Sequence, residues 1–250
     1  MRVRIFMILV LTMCGAATNA TAQDLFTCVK PWAIPDKWID NHDDPNDHVW
    51  TADDTFETVD AQGNALSDPD VYVAPSWPFD PTTYTGFTVQ HDLGRLLTLK
   101  LGAPQDGLRS GFFYAVDIGT VGEGGNAYRT AIATCQQEAR IFFGDTLQPL
   151  SGNLNGPTVQ GVADLINLDP DAVWDPVARA VINSCAPSPS CGSASPRLVA
   201  IAAFNPAVFE ASMINGGQPQ LVVTNVIGVF IDGIVGGKVT GYLTALPVPD

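Results

Sequence analysis

The sequence predicts an α+β protein, with a largely antiparallel β-sheet core and a few short helices. Several short apolar runs have strand character, and a few segments of modest length have helical periodicity. The 23 Gly and 19 Pro favour turns over long helices. An acidic, aromatic N-terminal arm is expected to pack on this core, so that arm and core form one globular unit.

The chain begins with a pattern typical of a secretory signal peptide. Arg2 and Arg4 precede a short apolar run, Ile5 to Met13, and Ala20-Thr21-Ala22 is a small-residue cleavage signature. We therefore expect residues 1–22 to be removed on export. The protein would then be periplasmic, or extracellular at the cell surface.

After cleavage, we expect the remaining chain to consist of an arm and a core. Residues 23–92 are acidic and rich in Pro and aromatic residues, and "CVKPWAIPDKWIDNHDDPNDHVW" (28–50) has no sustained periodicity, which is typical of an extended arm with turns. Residues 93–250 would form the α+β core.

The first elements of the core are two strands and a helix. "RLLTLKLG" (95–102) alternates apolar and polar residues, and "SGFFYAVDIG" (110–119) is typical of a buried strand. "GNAYRTAIATCQQEA" (125–139) predicts a short helix, with Asn126 as its cap and with Tyr128, Ile132 and Cys135 on one face.

The next segment predicts two helices. "TVQGVADLINL" (158–168) carries the apolar stripe Val159, Val162, Leu165 and Ile166, and Asp169-Pro170 ends it because the residue before Pro disfavours the α conformation. "DAVWDPVARAVI" (171–182) would form a further short helix.

The last segment predicts three strands and one helix. "RLVAIAAF" (197–204) is a buried strand, and "NPAVFEASMI" (205–214) begins a helix with Asn205 as the cap and Pro206 in its first position. "QLVVTNVIGVFIDGI" (220–234) and "KVTGYLTAL" (238–246) are strands joined at Gly236-Gly237, a favoured hairpin turn.

The charge of the chain disfavours two classes of partner. The full sequence has 12 basic and 26 acidic residues, and removal of Arg2 and Arg4 leaves 10 against 26, a net charge of −16. Nucleic acids and anionic membranes are therefore disfavoured. No later stretch reaches the roughly 18 apolar residues that a membrane span needs, so we expect no stable membrane insertion after cleavage.

Four cysteines remain after cleavage, namely Cys28, Cys135, Cys185 and Cys191. An even number in an exported chain predicts two disulfides, for which three connectivities are possible. We favour Cys185–Cys191, which closes a short loop, together with Cys28–Cys135, which ties the arm to the core.

The motifs assign no catalytic, cofactor-binding or metal residue. "SGNLNGPTVQG" (151–161) lacks the spacing and the Lys of a phosphate loop, and Pro157 removes one N–H, so we interpret it as a turn and the start of a helix. His42 and His48 have no zinc spacing and are interpreted as solvated loop residues. A structural Ca²⁺ could bind oxygen ligands around Asp60, Gly63-Asn64 and Ser67-Asp68-Pro69-Asp70, although the alternative is a loop of Asx turns.

Five collinear stretches resemble a known family. They are "CVKPWAIPDKW" (28–38), "DVYVAP" (70–75), "GGNAYRTAIATC" (124–135), "FFGDTLQPLSGNLNGPTVQGVADLINLDPDAVWD" (142–175) and "SPRLVAIAAFNP…VTNVIGVFIDG" (195–233). Together they resemble the exported C-terminal region of TadG-like proteins, of the TadE/G-like group linked to Tad/Flp pilus assembly. The resemblance implies a non-enzymatic assembly protein and brings no catalytic residues. This chain departs from typical members in having a cleavable signal peptide and in lacking a DxSxS metal motif.

The sequence thus favours an exported structural or accessory protein whose partners are proteins of a surface appendage or envelope assembly. One alternative is a secreted binding module or adhesin, in which Trp32, Trp38, Trp50 and Trp77 of the arm supply contact area; these residues could equally pin the arm to the core. The other is a secreted hydrolase with a site assembled from distant residues, for which His91 beside a Ser and an Asp would be the sign.

Overall fold

The computed structural model describes residues 29–37, 64, 67, 69–76, 78–103, 105, 107–108, 111–119, 121–122, 124–134, 141–188 and 191–246. The strands and α-helices in this part of the chain are β1 (Val29–Pro35), α1 (Val89–Asp92), β2 (Leu96–Leu101), β3 (Phe112–Asp117), α2 (Gly124–Ala133), β4 (Thr146–Pro149), α3 (Asn155–Asn167), β5 (Val173–Asp175), β6 (Ala180–Ile182), β7 (Leu198–Phe204), α4 (Pro206–Met213), β8 (Leu221–Val235) and β9 (Lys238–Thr244), and a short 3-10 helix (Ile214–Gly216) follows α4. They confirm the predicted α+β class with a β-sheet core. None of these helices has both the length and the apolar character needed to cross a membrane.

Six of the strands close into a ring, which is the barrel of this fold. β1 pairs with β7, β7 with β8, β8 with β9, β9 with β2, β2 with β3, and β3 again with β1. Only the β1–β7 and β2–β3 pairs are parallel, so the sheet is largely antiparallel, as predicted. β4 bridges β3 and β8 at one end of the ring. Closure removes most free strand edges.

Side chains from both faces of these strands are buried. One apolar cluster combines residues from all six ring strands with residues of α2 and α3. A second cluster lies on the opposite face of β1, β3, β7 and β8 and includes Phe209 of α4. Burial on both faces explains why β7 is a continuous apolar run instead of an alternating one.

The interpretation of residues 28–50 as an extended arm is wrong for its first part. Val29–Pro35 is a completely buried strand between β3 and β7. Trp32 packs against Phe113 in the core, and its indole Nε1 donates to Tyr128 OH at 2.8 Å. Lys30 and the two prolines break the apolar pattern, which conceals the strand in the sequence. Here the burial comes from tertiary pairing.

Lys30 is buried because it lies at the C-terminal end of α2. Its ammonium Nζ donates to the Thr134 carbonyl at 2.7 Å, where the negative end of the helix dipole favours a cation. Burial lowers the pKa of Lys30 to about 7. In the sequence, Lys30 lies two positions after Cys28, and Thr134 directly precedes Cys135. Both cysteines lie outside the described residues, so the Cys28–Cys135 disulfide stays a prediction.

Four of the predicted elements are confirmed. They are the strands expected at 95–102 (β2), 110–119 (β3) and 197–204 (β7) and the helix expected at 205–214 (α4). Asn205 caps α4, since its side chain accepts from Val208 N at 3.1 Å. β8 and β9 form the predicted hairpin, and both Gly236 and Gly237 have positive φ angles, as the tight turn requires. Asn126 is not a cap, because Gly124 (φ +85°) begins α2 and Asn126 lies in its first turn.

The buried face of α3 differs from the predicted stripe. Val162 and Leu165 are buried, but Val159 and Ile166 are only partly so, and their places are taken by Thr158 and Gly161. A Cβ on Gly161 would lie 2.8 Å from Ile132 Cβ of α2. The two helices therefore approach closely at Gly161, and α3 turns its Gly161 face towards α2.

The helix predicted over residues 171–182 is wrong, because the segment forms the hairpin β5–β6. Asp175 closes its turn by accepting hydrogen bonds from the backbone N–H groups of Val177 and Ala178. Trp174 packs on Tyr242, with ring centroids 5.4 Å apart. Val and Trp favour strands, and this tertiary contact decides the conformation.

The loop after β6 contains the predicted Cys185–Cys191 disulfide, with a Cα–Cα distance of 5.9 Å. Asp169 anchors the loop by accepting from Ser184 Oγ, Ser195 Oγ and Cys185 N. Burial alone would raise the pKa of Asp169. The three hydrogen bonds and the nearby Arg197 have the larger combined effect, so the pKa of Asp169 is lowered. Arg197 is itself buried and donates to four backbone carbonyls, so we interpret this cluster as structural.

Candidate functional site

A cleft of about 800 Å³ lies along β8. Its floor is the stretch from Val222 to Gly228. One wall is formed by residues 74–76, 79, 81, 84 and 87–90, which precede β2 in the chain. The two ends of the cleft are formed by Phe143-Gly144, before β4, and by Leu243 with Leu246, at the end of β9.

The lining of the cleft is apolar and uncharged. Phe79 and Phe143 stand at its rim, 51% and 63% exposed. Charged side chains are absent from the described residues that line it, although the chain as a whole carries a net charge of −14. Exposed phenylalanines at the rim of an uncharged cleft are typical of a binding surface for an apolar ligand or segment.

Beneath one wall of the cleft lies a buried carboxylate, Asp36, directly after β1. Its backbone N–H donates to Phe204 O of β7 at 2.9 Å, which fixes the residue at the end of the barrel. Its side chain accepts five hydrogen bonds: from Tyr84 OH (2.6 Å), Tyr72 OH (2.7 Å), Thr224 Oγ1 (3.1 Å), Asn225 Nδ2 (3.1 Å) and Phe87 N (3.3 Å). Asp36 therefore joins three separate chain segments at one point.

The position of Asp36 perturbs the titration of this cluster. Burial raises the pKa of Asp36 to about 6, although the hydrogen bonds from Tyr84, Tyr72, Asn225 and Thr224 oppose the shift. Burial, together with the adjacent carboxylate, also raises the pKa of Tyr72 and of Tyr84 far above the ordinary value. Both tyrosines consequently remain protonated donors at neutral pH.

Asn225 links the buried cluster to the floor of the cleft. Its amide Nδ2 donates to Asp36, to Tyr84 OH at 2.8 Å and to Phe87 O at 2.9 Å. Its Oδ1 accepts from the backbone N–H of Val226 at 2.8 Å. These contacts set the distance between β8 and the wall that contains Tyr84 and Phe87, so the cluster shapes the cleft instead of facing it with a charge.

The described lining contains no activated nucleophile. Ser76 lines the cleft, but its hydroxyl donates to Pro78 O at 3.0 Å and not to a base. His91 lies exposed on α1, and within the described structure its imidazole makes no hydrogen bond to a serine or an aspartate. Among the described residues, His91 thus does not form the arrangement that would support the hydrolase alternative.

The Gly-rich loop singled out in the sequence lies elsewhere. Ser151, Gly152 and Leu154 line a second cavity of about 560 Å³, together with Gln105, Gln148 and Gln218. The described residues around it include no Lys or Arg that could neutralise a phosphate. α3 begins at Asn155, so Pro157 lies within its first turn, two residues after its start.

Several predicted site residues lie outside the described residues. These are His42, His48, Trp38, Trp50, Trp77 and, among the possible calcium ligands, Asp60, Gly63 and Asp68. Calcium binding thus stays a prediction. Within the described part of the chain, His, Cys, Asp and Glu side chains form no group of three or more that could hold a metal ion. Trp32 is buried in the barrel and offers no contact area for an adhesin.

Comparison of the chain with protein-family models, with curated proteins and with solved structures finds no match. The site must accordingly be interpreted from its own residues.

The sequence did not indicate the cluster of Asp36, Tyr72, Tyr84 and Asn225. These residues come from the supposed arm and from a strand late in the chain, and Asp36 and Thr224 are 188 positions apart. One signal was present: the short run "WAIP" (32–35) is followed directly by an acid, Asp36, and an acid at the end of a buried strand requires partners.

Proposed function

We propose that this chain is an exported, non-enzymatic accessory protein of a cell-surface or pilus assembly, and that it binds an apolar segment of a protein partner in the β8 cleft. The observation that carries the proposal is the uncharged cleft with exposed Phe79 and Phe143 at its rim. The sequence resemblance to TadG-like proteins supports the assembly role. The Cys185–Cys191 disulfide is compatible with an oxidising compartment outside the cytosol.

Site-specific cross-linking in the producing cells tests the binding role. A photoreactive phenylalanine analogue at position 79 or 143 should cross-link a protein that mass spectrometry identifies as an exported component of the surface assembly. The matched control carries the same analogue at Val177, which is 92% exposed on the β5–β6 turn and does not line the cleft. This control should give no such product.

The proposal is wrong if positions 79 and 177 give the same products, or if the products contain no assembly component. Introducing Phe143→Asp should abolish the cross-link from position 79, because the charge would have to enter an apolar cleft. Export is tested independently by N-terminal sequencing of the extracytoplasmic protein, which should begin at Gln23.

A further inference from the structure

The second cavity, of about 560 Å³, is separate from the β8 cleft, and the proposed function makes no use of it. The two cavities share no lining residue in the described part of the chain. Ligand pockets in proteins typically have volumes of about 300–1,000 Å³. The second cavity is thus large enough to hold a small ligand of its own.

Three glutamine side chains line the second cavity, and each comes from a different part of the chain. Gln105 follows β2, Gln148 lies in β4, and Gln218 precedes β8. Within the described structure, no hydrogen bond joins any of these three amides to another residue. A primary amide has two N–H donors and one carbonyl acceptor. The cavity therefore brings together three amide groups whose hydrogen-bonding capacity the fold does not use.

Hydrogen bonds hold the backbone that carries these amides. Leu150 N donates to Ala115 O at 2.8 Å, so the chain that follows Gln148 remains attached to β3. Gln220 N donates to Ser212 Oγ at 2.9 Å, which ties the segment before β8 to α4. A ligand in the cavity would consequently meet backbone that is already in place, which lowers the entropic cost of binding.

The floor of the second cavity is apolar. Ala115 of β3 and Leu154, directly before α3, are buried there, and Leu101, Leu150 and Met213 are partly buried around them. The three glutamines are exposed, so polar amides stand above apolar carbon. A ligand that satisfies both parts needs an apolar face and, around it, hydroxyl or amide groups.

The charges of the chain favour a neutral ligand. The described residues that line the second cavity are all uncharged, and the chain has a net charge of −14. An anionic ligand would be repelled by the acidic chain and would find no cation in this lining. A cationic ligand would find no carboxylate there to replace its lost hydration.

We propose that the second cavity binds a short neutral oligosaccharide. A sugar ring has C–H faces that pack on an apolar floor, and its hydroxyl groups each donate and accept hydrogen bonds. A glutamine amide also donates and accepts, so one amide can bond two neighbouring hydroxyls. An extended peptide fits less well, because it is recognised by a row of groups along one strand, and these amides come from three separate segments. The inference is independent of the role of the β8 cleft.

The test uses the mature full chain and neutral trisaccharides of glucose, mannose, galactose and N-acetylglucosamine. Titration is followed by the NMR signals of the glutamine side-chain NH₂ groups. At least one trisaccharide should shift the signals of Gln105, Gln148 and Gln218. The signal of Gln90, an exposed glutamine that lines the β8 cleft, is the internal control and should not move. Trigalacturonate, an anionic trisaccharide, should not bind.

Matched variants locate the binding site. Gln148→Ala and Gln218→Ala should each weaken binding about twofold to tenfold, the range expected for loss of one neutral hydrogen bond. Gln90→Ala should leave the affinity unchanged. Because all three side chains are exposed, none of these changes removes core packing.

Three results would overturn the inference. The cavity does not bind neutral oligosaccharides if none of the trisaccharides shifts the three glutamine signals. Equal shifts of Gln90, or equal affinity of the Gln148→Ala and Gln90→Ala variants, would show that sugars do not bind in this cavity. If the neutral peptide acetyl-Ser-Gly-Ser-amide shifts the same signals at lower concentration than every trisaccharide, the cavity is a peptide site. Cross-linking from positions 79 and 143 tests the β8 cleft separately, since neither residue lines the second cavity.

Discussion

Acidification should stabilise the protein through Asp36, the buried carboxylate beneath the cleft. Burial raises its pKa from 3.8 to about 6 in the folded state, so the folded protein binds this proton first as the pH falls. The stability contribution is therefore fully present below the unfolded pKa and is lost as the pH rises through about 6. This sign is the reverse of that for a salt-bridged aspartate.

The magnitude follows from the two pKa values. At about 1.36 kcal/mol per pH unit, the full contribution approaches about 3 kcal/mol, and about 2 kcal/mol is present at about pH 4.5. For a chain of this size, about 2 kcal/mol corresponds to roughly 4–8 °C in Tm. Because other acids also titrate, the measured quantity is the difference between wild type and Asp36→Asn, in urea unfolding and in thermal melts at about pH 7.5 and about pH 4.5.

We expect the wild type to gain about 2 kcal/mol relative to Asp36→Asn between these two pH values. Tyr84→Phe keeps the carboxyl but removes a donor that lowers its pKa, so the acid gain should increase in that variant. Asp80→Asn is the control, since Asp80 is partly exposed and its hydrogen bonds with Thr82 lower its pKa; this variant should keep the acid gain. Parallel pH profiles of wild type and Asp36→Asn would refute the reasoning.

Two further predictions concern the α2–α3 contact and the disulfides. Gly161→Ala should lower the free energy of unfolding in urea by about 1–3 kcal/mol, because the added Cβ would lie 2.8 Å from a backbone oxygen of α2. Gly156→Ala in the same helix is the control: its Cβ would meet no atom within 4 Å, and it should stabilise the protein by up to about 1 kcal/mol. Equal effects of the two variants would contradict the proposed packing. Non-reducing peptide mapping of the protein purified from the producing cells should link Cys28 to Cys135, and a bond from Cys28 to either other cysteine would disprove that pairing.

Local signals predicted several elements of the fold correctly. Alternation in β2, the Asn205-Pro206 start of α4 and the Gly236-Gly237 turn each depend on residues close in sequence. The errors occurred where distant contacts decide. The β5–β6 hairpin is fixed by Trp174 on Tyr242, and the orientation of α3 by Gly161 against Ile132.

Closure of the barrel and the candidate site could not be predicted for the same reason. β1 is interrupted by Lys30 and by prolines, and its burial depends on β3 and β7, which lie far along the chain. The polar cluster depends on this strand, since Asp36 follows it directly. A single sequence contains the residues of such a cluster but not their proximity.

The position of Asp36 also determines which part of the protein opens first when the Asp36 cluster is weakened. The carboxylate fixes Tyr84 and Phe87 of the wall and Asn225 of the floor, whereas the barrel below is held by strand pairing and apolar packing. Weakening the cluster should therefore loosen the wall before it opens the barrel. A segment bound in the cleft contacts both wall and floor, so it should stabilise mainly the wall, by an amount that increases with its concentration. Hydrogen exchange should then slow at Phe87 on binding and remain unchanged at Val229, which lies in the middle of the β7–β8–β9 ladder.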